Sequence, residues 1–541
     1  MAGQPGGSWI WAGLFADACA NGGRGRWSIL ARVVYAFQPS AVDELGAVST
    51  GRGPVRLEFV TAPVLRATQG RISYFVLSRL VETRQERLPG HRCRAEGGLG
   101  MSESVEFGVA VIGFGTVGAG VVDLLTKHQD LLTERAGLRP VLRGVGDLDL
   151  DRPRGVRVDR SLLTRDVEGL IRRPDVHIVV ETVGGTKAAR DIVLAALRER
   201  KPVVTANKAL LAEQGPELFQ VARDHGAGIY FEASVAGGVP VIRAVREGLV
   251  ANRIARIYGI LNGTCNYILT RMEEDGATFD AALQAAQQAG YAETDPSLDV
   301  DGIDTAHKAV ILASLACGRP VPFSAVGVEG IRSVATVDLE YARTLGYSIK
   351  LMAVIRNDPG GVSVHVGPCL VPRHHLLGQV RAEYNAVLVR GDAAGDTVYC
   401  GRGAGRYPTA SAIVSDIMDA ARRRQYAEAP PDAFRGEPPK IRADAYDRAR
   451  WYIRLMLMDR PGMLARAADV FGRHEISLAS VVQREGWHDT YVPVLFLTHL
   501  AMYGAVRRAV RELARLEGIG GLPVCFRIED LAGDEVSLSS R

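Results

Sequence analysis

Residues 105–118 read Val105-Glu-Phe-Gly-Val-Ala-Val-Ile112-Gly113-Phe114-Gly115-Thr116-Val117-Gly118. An apolar run that passes straight into GxGxxG and then into a helical pattern has the order strand, turn, helix. In that order each glycine has a task. Gly113 permits the tight turn, Gly115 lets a pyrophosphate approach the backbone, and Gly118 allows close packing of the helix, whose N-terminus offers unpaired N–H groups and a positive dipole end. The stretch therefore predicts a dinucleotide site on residues 113–118. An acid at the end of the next strand would hold a ribose 2′-hydroxyl, and Asp147 in Gly144-Val-Gly-Asp147 is the candidate. Arg143, Arg152 and Arg154 are near enough in sequence to receive a 2′-phosphate instead, so NAD and NADP both stay open.

Outward from this turn, apolar strands alternate with helical stretches up to about residue 235. They are read at Val105 to Ile112, Val141 to Val145, Ile178 to Glu181, Pro202 to Thr205 and Ile229 to Glu232, with helices over 115–128 and 188–200 between them. That alternation predicts a parallel sheet of the α/β Rossmann type over residues 101–235. Residues 236–403 mix helices with β-patterned runs and read as an α+β substrate and dimerisation domain. Residues 427–446 hold four prolines and many charges, the composition of an exposed linker, here bounded at 426–448. Residues 449–531 run strand, helix, strand, strand, helix, strand, the ferredoxin-like βαββαβ order.

Of the 541 residues, 47% are hydrophobic and 23% charged, which excludes collagen-like and disordered classes. The net charge of +4 is local. Residues 1–100 carry 12 arginines, no lysine and 7 acids, leaving 53 basic and 54 acidic residues for 101–541. No basic module of the nucleic-acid-binding kind accompanies that excess. At Met101 the texture changes to the strand just described, so the folded protein is expected to begin near there, the first hundred residues being a poorly ordered and dispensable extension or an over-long start. The 7 cysteines are scattered with no CxxC pair, as expected of reduced thiols in a cytoplasmic chain. The apolar run Tyr491 to Val506 is too short to span a bilayer, and the patch at Trp9 to Ala16 lacks the basic flank of a signal peptide. An organellar transit peptide stays open for the Arg-rich, Lys-free start, although its acids weigh against one.

Two lysines stand out. Pro202-Val-Val-Thr-Ala-Asn207-Lys208 ends a buried strand with a lysine at its carboxyl end, where open α/β sheets bind ligands. Between Glu293 and Asp304 lie five carboxylates within 12 residues, followed by Lys308. A helix starting near 302 puts Asp304 and Lys308 on one face at i and i+4. As a surface ion pair they would be worth only about 0.3–0.5 kcal/mol. As a site, the acids would clamp a substrate ammonium and hydroxyl while a lysine exchanges a proton.

The chain from about 105 to 425 resembles homoserine dehydrogenase. The resemblance runs in order through GFGTVGAGVV (113–122), VVETVGG (179–185), TANKALL (205–211), YFEASVAGGVP (230–240), ILNGTCNYIL (260–269), GYAETDPSLDVDGIDTAHKAVILA (290–313) and GRGAGRYPTASAIVSD (401–416). It implies reversible, NAD(P)-dependent conversion of L-homoserine to L-aspartate 4-semialdehyde in threonine, methionine and isoleucine biosynthesis. Carried over by position, it implies that Lys308 is the proton donor and acceptor and that Lys208 lies beside cofactor and substrate. Glu293 and Asp304 would bind substrate, supported by Asp299. Thr182, in the VVETVGG motif, and Gly403 would lie at the cofactor, with the helix over 404–425 returning to the nucleotide domain. Glu232 and the carbonyls of Val235, Gly237 and Val239 would hold a monovalent cation, Na+ or K+; without the resemblance this segment reads as a plain turn. Two departures stand out: Gly146 replaces an arginine common in relatives, which leaves a preference for the phosphorylated cofactor in doubt, and Arg402 replaces a frequent proline.

The turn Asp459-Arg-Pro-Gly462-Met463-Leu464 and the module around it are similar to an ACT domain, an amino-acid sensor whose helix N-terminus receives a carboxylate. Threonine is the effector this implies, and edge-strand pairing implies a homodimer or homotetramer. Two rival readings are a phosphorylating semialdehyde dehydrogenase with Cys265 as nucleophile and a non-catalytic, cofactor-bound amino-acid sensor. No nucleic-acid or membrane partner is expected.

Overall fold

The computed structural model describes residues 105–428, 433–484 and 490–531, and before them four short strands only, Phe15–Ala18 paired with Ile29–Arg32 and Glu58–Thr61 paired with Val76–Arg79. The expectation that the folded chain begins near Met101 lies outside the described residues.

The first layer is built from β1 (Val105–Ile112), α1 (Thr116–Lys127), α2 (Gln129–Ala136), β2 (Leu138–Gly146), β3 (Leu163–Thr164), α3 (Val167–Arg172), β4 (Ile178–Glu181), α4 (Lys187–Arg198), β5 (Val203–Thr205), α5 (Lys208–His225) and β6 (Ile229–Tyr230). Its six strands are all parallel and lie in the order β3-β2-β1-β4-β5-β6. The order reverses direction between β1 and β4, so a crevice opens at the carboxyl ends of those two strands, and the GxGxxG turn sits there. Val109, Val111, Val179 and Val180 are fully buried, as strands covered on both faces require.

The second layer follows as β7 (Ile254–Ile260), α6 (Gly263–Asp275), α7 (Phe279–Gln288), α8 (Ile303–Cys317), β8 (Val326–Val328), α9 (Thr336–Thr344), β9 (Tyr347–Asp358), β10 (Gly361–Pro372), β11 (Tyr384–Gly391) and β12 (Gly395–Arg402). Helix α10 (Arg406–Gln425) leaves this layer, and its Ala410, Ile413 and Ile417 are buried in one core with Val109 and Val121 of the parallel layer.

The C-terminal module comprises β13 (Arg448–Met458), α11 (Met463–Arg473), β14 (Leu478–Gln483), β15 (Tyr491–Thr498), α12 (Tyr503–Leu513) and β16 (Val524–Ile528). Its four main strands lie in the order β16-β13-β15-β14, so the fourth strand flanks the first and the second is an outer edge. β16 also pairs in parallel with β10 through Cys369↔Arg527 and Leu370↔Ile528. One sheet therefore runs from the substrate layer into the module.

The segment before the module is mostly exposed or half-buried among its described residues, but it carries one buried anchor. Ala433 and Phe434 are buried, and Phe434 packs edge-on against Phe219 of α5 with ring centroids 4.8 Å apart. Proline content marked the missing regular structure but not the aromatic anchor. Arg356 on β9 bonds Asp447 at 3.0 Å and Glu529 at 2.8 Å, while Arg454 on β13 bonds Asp338 on α9 at 2.6 Å. These buried pairs fasten the module to the substrate layer. No helix among the described residues is long and apolar enough to cross a membrane.

Candidate active site

At the nucleotide turn, Gly113 has φ +92°, and a Cβ there would lie 2.6 Å from the Thr182 carbonyl carbon. A Cβ on Gly118 would sit 1.9 Å from the Gly113 oxygen, so α1 touches the turn. Gly115 faces open space, with nothing within 4 Å of a Cβ built on it. Those three environments suit a pyrophosphate laid on Gly115 at the start of α1, where first-turn N–H groups lack intrahelical partners. Phe114 falls within the turn, and Thr116 and Val117 are the first residues of α1. Thr182 Oγ1 donates to the Gly113 carbonyl at 2.8 Å, tying the VGG loop to the turn.

Asp147 follows β2, but its carboxylate is partly committed. It accepts the Phe114 N–H at 2.5 Å and the Asp149 N–H at 2.9 Å, and Arg154 lies 3.4 Å away. Arg154 in turn donates to the Phe114 carbonyl at 2.5 Å and covers its ring. Arg152 is exposed.

The second half of the site is a set of buried charges. Asn207 caps α5 by accepting the Leu210 N–H at 3.1 Å, which makes Lys208 the first residue of that helix. Gly302, at φ +84°, starts α8 and places Asp304 in its first turn, where the helix dipole favours a carboxylate. Lys308 follows one turn on. Its Nζ donates to Asp304 Oδ2 at 2.6 Å and to the Leu261 carbonyl at 2.7 Å, while Lys208 Nζ stands 3.3 Å from Asp304 Oδ1. Burial alone would raise the Asp304 carboxyl, but the Lys308 and Lys208 charges outweigh it and hold the group far below the usual carboxylate range. Asp299 moves the other way, raised by burial and by the neighbouring Asp304. Asn262 stands between them, donating to Asp299 Oδ1 at 2.7 Å and Asp304 Oδ2 at 3.0 Å.

An ammonium has three protons to donate. Lys308 spends two on Asp304 and Leu261, which leaves one for a ligand. Glu293 lies exposed on the segment before the Asp299 turn, outside the hydrogen-bonded cluster.

Three residues without an assigned role in the sequence reading prove to organise the site. Asn262 bridges the two aspartates. Glu181 is fully buried at the end of β4, where it accepts the Val183 N–H at 2.8 Å and the Thr205 hydroxyl at 2.6 Å, shaping the VGG loop. Asn385 donates to the same Leu261 carbonyl at 2.9 Å, and a Cβ on Gly403 would fall 2.0 Å from its Nδ2. Asn385, packed against Gly403, and Lys308 thus share the Leu261 carbonyl, and the buried Asn385 Oδ1 has no hydrogen-bond partner. Asn262 and Glu181 stand in motifs already quoted, whereas Asn385 stands in none; periodicity and composition carry no signal for a bridging amide.

In the loop after β6, both Glu232 oxygens are occupied, by the N–H groups of Ile242 and Arg243 at 2.8 Å each. Val239 accepts the Val241 N–H at 2.8 Å. The carbonyls of Val235 and Gly237 accept no backbone N–H among the described residues, and a Cβ on Gly237 would meet the Gly403 oxygen at 2.4 Å. Among the described residues, no group of three or more His, Cys, Asp or Glu side chains could hold a metal ion.

Cys265 is inert as placed. It is fully buried, its Sγ donates to the Asp299 carbonyl at 3.2 Å, and burial beside Asp299 and Asp304 pushes the thiol well above its usual range. A nucleophilic thiolate needs the opposite environment.

Gly462 has φ +86° and caps α11; Met463 is buried and Leu464 exposed, with Asp459 at the entry to the turn. The outer strand β14 lies at the end of the sheet, and four of its six residues are exposed.

Comparison with known proteins gives one family throughout. Family models described as homoserine dehydrogenase, its NAD binding domain and the ACT domain match residues 240–418, 113–232 and 451–515. The chain is 41% identical over 436 residues to the homoserine dehydrogenase of Pseudomonas aeruginosa, covering 78% of this chain and 99% of that one. It is 40% identical to that of Synechocystis over 435 residues, with coverages of 78% and 99%. Among solved structures, a homoserine dehydrogenase from Thiobacillus denitrificans superposes with TM-score 0.74 at 39% identity over 79% of this chain and 99% of that one. A hyperthermophilic archaeal homoserine dehydrogenase in complex with NADPH superposes with TM-score 0.50 at 27% identity, covering 61% of this chain and all of that one.

Proposed function

Since the chain belongs to the homoserine dehydrogenase family and is an NAD(P)-dependent oxidoreductase, we propose that Lys308 exchanges the proton of the reacting oxygen. The observation that carries this reading is the uncommitted third proton of Lys308 above the ionised Asp304. Glu293 and Asp304 hold the substrate's ammonium and hydroxyl, Asp299 with Asn262 fixes Asp304, and Lys208 adds positive charge where the alkoxide develops. In oxidation of L-homoserine the amine form of Lys308 accepts the hydroxyl proton as the carbon gives up hydride; in reduction of the semialdehyde the ammonium returns it. The nicotinamide cofactor supplies only the hydride acceptor or donor. Residues 113–118, Thr182 and Gly403 would hold it, with the Asn385 Oδ1 free for a donor on it. NAD and NADP are separated by whether Asp147, already bonded to the turn, or exposed Arg152 meets the ribose.

The cation loop fits Na+ or K+ through the open carbonyls of Val235 and Gly237, with Glu232 ordering the turn from behind and Val239 closing it. The turn from Asp459 through Gly462, Met463 and Leu464 would receive the carboxylate of threonine, and β14 would pair across a homodimer or homotetramer. We divide the chain as an extension over 1–100, a nucleotide domain over 101–235 with the helix of 404–425, a substrate domain over 236–403 and an ACT domain over 449–531. Free thiols at Cys265, Cys317 and Cys369 suit a cytoplasmic enzyme in biosynthesis of the threonine, methionine and isoleucine group.

Initial rates of nicotinamide reduction with L-homoserine, for NAD and NADP and with added Na+, K+ or threonine, test these readings together. Turnover that L-homoserine supports with either cofactor is expected; no turnover with both would refute the assignment.

A further inference from the structure

Where the ACT module meets the substrate layer, a cavity of about 210 Å³ opens between α12, β16 and the segment after β8. It shares no residue with the turn at 459–464 or with the catalytic cluster. Ligand pockets for drug-sized molecules run to roughly 300–1,000 Å³, so this one is sized for a small metabolite.

Its walls carry unsatisfied charge. Arg527 is 1% exposed and lines the cavity; its Nη1 stands 3.4 Å from Asp447 and 3.7 Å from Glu529, while its Nε and Nη2 have no hydrogen-bond partner. A buried guanidinium with two idle donors is costly to leave unpaired. Arg507 and Arg511, one turn apart on the exposed face of α12, form no ion pair among the described residues and stand at the rim. The Glu329 side chain lines the same cavity, its carboxyl in no hydrogen bond or ion pair among the described residues, and burial pushes that carboxyl up to about 7. His365 completes the polar wall with a buried, unpartnered Nδ1. Trp451 and Tyr503, stacked with centroids 4.8 Å apart beneath the Arg527 guanidinium, supply an apolar floor.

Three arginines without full partners ask for an anion, and an unpaired carboxyl in the same cavity asks for a cation or a strong donor. A small inorganic anion meets only the first demand and sets negative charge beside Glu329. A zwitterion meets both. We propose that this cavity is a second regulatory site that binds a free α-amino acid, its carboxylate on Arg527 with Arg507 and Arg511, its ammonium on Glu329 and its side chain over Trp451 and Tyr503.

Occupancy has a short route to the active site. The Glu329 N–H bonds the Val366 carbonyl and the Ile331 N–H bonds the Val300 carbonyl, each at 2.8 Å. A Cβ on Gly302, the cap of the helix that carries Asp304 and Lys308, would lie 3.3 Å from the Glu329 backbone carbonyl oxygen. Clamping Glu329 therefore bears on the start of α8. The binding claim is independent of the turn at 459–464, whereas the coupling claim rests on the enzyme reading above.

The test is calorimetric titration of the full-length chain with the twenty protein amino acids, inorganic phosphate and acetate, together with Glu329→Gln, Arg511→Ala and the turn variant Asp459→Asn. Arg511 is exposed, so its replacement leaves the fold intact. At least one amino acid is expected to bind, with affinity reduced tenfold or more by Glu329→Gln and by Arg511→Ala but not by Asp459→Asn, and to shift the KM for L-homoserine at least twofold. Binding lost only in Asp459→Asn assigns the ligand to the turn and overturns the proposal, as do tight binding of phosphate that Glu329→Gln leaves unchanged and binding of no amino acid. Binding at the cavity with no change in KM or kcat overturns the coupling.

Discussion

The cluster around Asp304 and the cluster around Asp447 are both buried assemblies of carboxylates and cations, and they differ in what they leave unspent. Asp447 accepts Arg356 at 3.0 Å, Arg442 at 2.7 Å and Ser363 at 3.2 Å, while Glu529 takes the other end of Arg356 at 2.8 Å. It is 2% exposed and both of its oxygens are taken up by arginines, which is how charge is held inside a joint between layers. Asp304 is also buried, but its two lysines retain donors and Lys208 keeps a 43% exposed side chain. Burial of charge thus marks either a joint or a site; free protons beside an opening mark the site.

Substitutions that strike each cluster should fail in different ways. Asp304→Asn removes the charge that both lysines face, and a fall of about 10³-fold in kcat/KM per folded molecule is expected, read by steady-state kinetics with calorimetry fixing the folded fraction. Asp447→Ala should instead cost about 3–5 kcal/mol in denaturant unfolding, because Arg356 and Arg442 lose a buried partner. Its kcat per folded molecule should stay near wild type; a collapse of kcat without unfolding would erase the distinction drawn here.

Smaller effects sharpen the contrast. Asn262→Ala leaves two aspartates without their shared donor, and a loss of about 10–100-fold in kcat/KM is expected from charge-assisted bonds worth about 1.5–3 kcal/mol. Asp416, which accepts the Glu232 N–H at 2.8 Å, has its carboxyl pushed up to about 7 by burial. A raised carboxyl favours the protonated fold, so its stabilisation is complete below the unfolded value and is lost as pH rises through about 7. Melting curves between pH 4 and pH 8 should show that decline, and Asp416→Asn should flatten it. Cys265→Ser, at the bottom of the scale, should change kcat by less than about twofold, since the thiol only fills space and donates to Asp299; loss of all turnover would revive a thiol nucleophile.

Both kinds of cluster differ in how far sequence discloses them. The parallel layer was legible because buried strands such as Ile178–Glu181 are continuous apolar runs and the GxGxxG turn has few other uses. Asp304 and Lys308 were legible as an i, i+4 pair inside one motif. Asn262 and Asn385 were not, since an amide's role depends on what the fold brings to it from elsewhere in the chain: Asp299 and Asp304 in one case, the Leu261 carbonyl and Gly403 in the other. The joint was hidden for the same reason. Asp447 ends a proline-rich, charged stretch that reads as linker, and its partner Arg356 stands on β9, 91 residues earlier. The pairing of β16 with β10, which turns two expected domains into one continuous sheet, likewise has no local signature.

The central claim is that Lys308 moves the proton, and homoserine oxidation by Lys308→Ala tests it most directly when cofactor affinity is measured on the same preparation. The account predicts a kcat lower by about 10³-fold or more with cofactor binding within about twofold of wild type. A variant that binds cofactor normally and retains more than about a tenth of wild-type kcat would contradict it.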